Sequence, residues 1–95
     1  MNTMKANKIT LKKIRIGYLE TMVTNLDADL DWKRESLEEA KKELDEALLV
    51  PYDNNDPHDT RNYERNVEYR ENEVERLELT ISEGEKLLAE LEKMV

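Results

Sequence analysis

Counting the chain in sevens constrains its fold more than any motif in it does. From Ile9 the series Ile9, Ile16, Val23, Leu30, Leu37 and Leu44 is apolar at every step. Three residues after each come Lys12, Leu19, Leu26, Lys33, Ala40 and Ala47, of which four are apolar and two are lysine. A second series, Val67, Val74, Ile81, Leu88 and Val95, runs with Tyr63, Leu77 and Leu91 on its companion line, where Arg70 and Gly84 interrupt. Such sustained heptads place a narrow apolar stripe on each helix, which only another helix can cover. The spacing predicts a first helix over residues 8–49 and a second over residues 57–94, with residues 1–7 as a flexible basic arm.

The heptad stops at "VPYDNNDPHD", where turn chemistry takes over. Pro51 biases Val50 away from helical geometry and ends the first helix. Asp56 then reads as an N-cap, with Pro57 at the first helical position and Asp59 in the first turn, near the positive end of the helix dipole. A loop over residues 50–56 suits antiparallel neighbours. The expected fold is therefore all-α. It is one domain, a long antiparallel helical hairpin with coiled-coil-like packing and helices of matching length, about 60 Å each at the usual rise per residue.

A lone hairpin has a thin core, because two helices share one seam and leave the rest of each stripe wet. The first helix carries a second apolar line, Leu11, Ile14, Tyr18, Ala28 and Trp32, roughly opposite the first. It fades where the equivalent positions become Glu35, Glu39 and Lys42. The second helix widens near its end through Leu87, Leu88, Leu91, Met94 and Val95, a region expected to lie beside the first helix's extra stripe. Apolar residues on two faces call for more than one neighbour. Self-association into a four-helix bundle of two hairpins is expected, with Leu11, Ile14, Tyr18, Trp32, Leu87, Leu91 and Met94 as its contact residues. Gly84 on the seam points to close approach of another backbone, and Gly17 together with the alternating "KITLKKIRIG" leaves strand open beside helix for the first 17 residues.

Charge divides the chain in two. Residues 1–17 carry Lys5, Lys8, Lys12, Lys13 and Arg15 and no acid, whereas residues 18–95 carry 10 basic against 23 acidic residues, a local −13. The acidic body would repel nucleic acid, while the basic segment could contact nucleic acid, an anionic ligand, or the acidic body of a neighbouring copy. The absence of cysteine removes disulfide and thiol chemistry and fits a reducing compartment, so the expected location is the cytoplasm. No apolar run suggests a signal peptide or a membrane span.

The acidic stretch "NLDADLDWKRESLE" places Asp27, Asp29, Asp31 and Glu38 at positions one, three, five and twelve of a calcium loop. Trp32 stands where that loop requires glycine, and the heptad passes through it unbroken, so no metal is expected here. Asp53, Asn55 and Glu64 make a second, poorer match, with Pro57 and His58 at the two intervening key positions. His58 is the one histidine and lacks a convergent ligand set.

Catalysis is not expected either. Ser36 and Ser82 fall within helical heptads far along the chain from His58, no Glu-x-x-His pair exists, and the two glycines are isolated. No cofactor is implied. What remains is a non-enzymatic protein-interaction module: an adaptor, an assembly part or a small inhibitor. An acidic DNA mimic, of the kind a phage or mobile element uses against a nucleic-acid-binding defence protein, is the alternative.

Overall fold

The computed structural model describes residues 3–95, and side chains from Thr10 onward. Two helices, α1 (Thr3–Leu48) and α2 (Pro57–Met94), form an antiparallel hairpin, with no strand among the described residues. The rod measures 86 × 17 × 15 Å.

α1 starts five residues earlier than the spacing predicts, so residues 3–7 of the expected arm continue the helix. No proline or glycine stands between Thr3 and Ile16 to stop it. Gly17 is absorbed into the helix without a positive φ, and the alternating segment before it is helical rather than extended.

At the other end, Leu49 N–H donates to Glu46 O (3.2 Å) and Val50 N–H to Ala47 O (3.3 Å), tightening the last turn before Pro51 ends it. α2 begins as expected. Asp56 is extended, its carboxylate accepts from His58 N–H at 2.9 Å, and Pro57 holds the first helical position.

The two heptad lines become the seam. Leu30, Ala40 and Ala47 of α1 and Leu77, Ile81 and Leu91 of α2 are the buried apolar residues, and all six lie on those lines. Leu30, 1% exposed, is the most deeply buried. Gly84 sits against it: a Cβ on Gly84 would come within 2.6 Å of Leu30 Cδ2. The glycine therefore makes room for a leucine side chain rather than for another backbone. Two of the three charged positions on these lines find partners at the seam's edges. Lys33 pairs with Asp29 one turn away, and Arg70 reaches across to Glu43.

Cross-helix contacts fix the register. Leu30 meets Gly84, Arg34 pairs with Glu85 at 3.4 Å, Glu43 with Arg70, and Tyr63 OH donates to Leu48 O at 3.1 Å. Carried along the helices, this register ends α2 level with roughly residue 20 of α1. The helices are thus unequal, 46 residues against 38, and the beginning of α1 projects past its partner. Burial agrees, since Thr10 to Arg15 are all exposed and Ile16 is the first half-buried residue described.

Candidate interaction surface

The outer face of α1 carries the second apolar line. Leu11, Ile14, Tyr18 and Trp32 are all exposed, with Tyr18 at 71% and Trp32 at 65%. Met22, also exposed, stands one helical turn after Tyr18 but beside the seam, at the same heptad position as the half-buried Ser36 and Glu43. Ala28 fills the step before Trp32 and is exposed too. The stripe runs on the side of α1 away from α2, because the intermediate and buried positions of α1 follow the other line.

The expected α2 members divide. Leu91 is 8% exposed and belongs to the seam within the hairpin, whereas Leu87 and Met94 are exposed. The register places Leu11 and Ile14 beyond the end of α2, so they do not lie beside Leu87 and Met94 as the sequence pattern suggests.

Basic and acidic segments share the stripe's flanks. Lys12, Lys13 and Arg15 are exposed, and none takes part in the ion pairs of the described residues. The side chains of Lys5 and Lys8 lie outside the described residues. Asp29 and Asp31 bind Lys33 and Arg34 of their own helix, while Asp27 makes no such pair. Asp27, Asp29 and Asp31 stand in continuous helix, where alternate residues diverge by about 200°, and among the described residues no three acidic or histidine side chains converge on a point. Ser36 Oγ is spent on Trp32 O at 3.1 Å.

A shallow groove opens beside Trp32, lined also by Ser36, Glu39, Ala40, Glu43, Glu73, Arg76 and Leu77. Its charge is tempered from within. The Arg76 hydrogen bond holds the Glu73 carboxyl below its ordinary range, and Glu73 in turn raises the guanidinium. The hairpin tip forms another apolar patch, where Leu48, Leu49 and Val50 are exposed and Tyr52 stacks on Tyr63 at 4.1 Å between centroids. The tip's acids serve the turn. Asp53 accepts from Asn55 N–H at 2.9 Å, Asp59 accepts from Asp53 N–H at 2.6 Å, and Asp56 caps α2.

No helix among the described residues is long and apolar enough to cross a membrane. No protein-family model, no curated protein and no solved structure matches the chain.

Proposed function

We propose that the chain is a non-enzymatic protein-interaction module that works as a self-associated acidic helical bundle, two hairpins contributing four helices. The observation that carries this is the exposed apolar stripe Leu11, Ile14, Tyr18, Ala28 and Trp32 on the face of α1 opposite its seam. A hairpin needs one apolar line to close; a second, aromatic-bearing line is what a further helix would cover. The assembled acidic surface then serves as an adaptor, assembly part or small inhibitor in the cytoplasm, where a chain without cysteine loses nothing to reducing conditions.

The acidic DNA mimic is less well supported. Arg34, Arg70 and Arg76 form ion pairs among the acids and break the even negative face that mimicry of phosphates requires.

Sedimentation over a concentration series tests the self-association. A reversible dimer that Trp32→Ala weakens is the expected result, and a monomer at every concentration sinks it. Capture of a macromolecular partner by the wild type but not by Trp32→Ala tests the second half of the reading.

A further inference from the structure

The register that ends α2 level with roughly residue 20 leaves the beginning of α1 as a single helix, and residues 3–19 carry it about 25 Å past its partner. Along that length the seam side of α1 has no α2 against it, and the cations of the segment stand on that side. At about 100° per residue, Lys13 lies to one side of Lys12 and Arg15 about 60° to the other, with positions 5 and 8, both lysine, falling between these two. Between residues 3 and 18 the apolar positions of the same sector are Ile9 and Ile16, while Leu11, Ile14 and Tyr18 lie on the opposite side. No acid occurs before Glu20. Lys12 stands about 12 Å along the axis from it, farther than the screening length at physiological salt. The overhang thus holds the cations away from the acidic body.

A sector so composed suits a polyanion better than another helix. A helix partner would find two isoleucines there and would otherwise depend on exposed ion pairs, each worth about 0–1 kcal/mol. A polyphosphate gains instead from the counterions released as each phosphate is neutralised, and that gain grows with every cation. Shape narrows the choice. One helix with its side chains is about 10–12 Å wide and enters the major groove of B-form DNA, about 12 Å across. Two packed helices, with axes about 8–10 Å apart, are too wide to enter. The major groove of duplex RNA is too narrow for either.

We infer that the projecting segment of α1 docks in the major groove of duplex DNA with its cationic sector inward. Lys13 and Arg15, at the two edges of the sector, reach phosphates on opposite walls, and Lys12 between them faces the floor. Most contacts go to phosphates, so binding is largely independent of sequence. The outer stripe faces away from the groove and stays open to the self-association proposed above, on which this inference does not rest.

Fluorescence anisotropy of a labelled DNA duplex of about 20 base pairs, two helical turns, titrated with the full chain, tests the docking. At about 50 mM salt, micromolar binding is expected, with log K falling against log salt at a slope of about −4 to −5 when five cations engage. Lys12→Glu with Arg15→Glu should weaken it about tenfold or more. Lys41→Glu with Lys42→Glu makes the same charge change at exposed positions about 45 Å along α1 and should weaken it less than about threefold. An RNA duplex of equal length should bind about fivefold more weakly or worse. Helicity by circular dichroism checks that each variant still folds.

No binding to DNA at that salt overturns the inference, as does an equal loss in the two charge-reversed pairs or equal affinity for the two duplexes. If DNA is ignored while Lys12→Glu with Arg15→Glu weakens a dimer in sedimentation, the cations serve the acids of a second copy. The docking then falls and self-association stands.

Discussion

Gly84 of α2 is the hole into which Leu30 of α1 fits: a Cβ at position 84 would lie 2.6 Å from Leu30 Cδ2, and Leu30 is the most deeply buried side chain of the hairpin. In wild type, Gly84→Ala should destabilise by about 1–3 kcal/mol, because overpacking outweighs the helix propensity gained. With Leu30→Ala as background the clash is gone, and the same change should stabilise by about 0.5–1 kcal/mol. Chemical denaturation of the four proteins checks the reversal of sign; equal effects in both backgrounds would show that the glycine is not there for Leu30.

Gly17 provides the contrast. It also lies within a helix, but nothing stands within 4 Å of where its Cβ would be. Gly17→Ala should therefore stabilise by about 0.5–1 kcal/mol, through a less disordered unfolded chain and a better helix former. Thermal melts at fixed protein concentration measure it, since any association would otherwise shift the midpoint.

Tyr63 closes the tip in two ways, stacking on Tyr52 and donating to Leu48 O. Tyr63→Phe keeps the ring and should cost about 0.5–1.5 kcal/mol for the lost hydrogen bond. Tyr63→Ala should cost more, as it also removes the stacked pair. Comparison of the two by denaturation separates ring from hydroxyl.

Asp56 caps α2 through His58 N–H. Asp56→Ala should cost about 1 kcal/mol and Asp56→Ser much less, since serine can accept the same bond. Hydrogen exchange in the first turn of α2 would report the fraying directly.

The ion pair of Glu43 with Arg70 crosses the seam while still about a third exposed on each side. Its coupling in a double-mutant cycle should be below about 1 kcal/mol and should shrink as salt rises. The pair matters more for register than for stability, because a slip of one heptad would take Arg70 away from its acid.

The seam was legible in the sequence. From Ile16 to Ala47 and from Tyr63 to Leu91, the half-buried and buried residues track the heptad lines, and the Asp56-Pro57 start of α2 follows from local capping chemistry. The line Leu11, Ile14, Tyr18, Ala28 and Trp32 was legible as a pattern, and the structure adds that all five are exposed. The start of α1 at Thr3 was missed because lysines without apolar periodicity resemble an arm, although no helix breaker is present.

Sequence alone determined the two helices, their apolar lines and the turn that joins them, because these depend on residues within a few turns of one another. Only the tertiary structure decided which turn of α1 faces which turn of α2. A repeat of seven looks the same after a slip of seven, and it is the fit of Leu30 against Gly84, with Arg34 on Glu85 and Glu43 on Arg70, that distinguishes one register from the next. From that register came what periodicity could not supply: Leu91 inside the hairpin, Leu11 and Ile14 beyond the end of α2, and Lys12, Lys13 and Arg15 outside the ion pairs of the described residues.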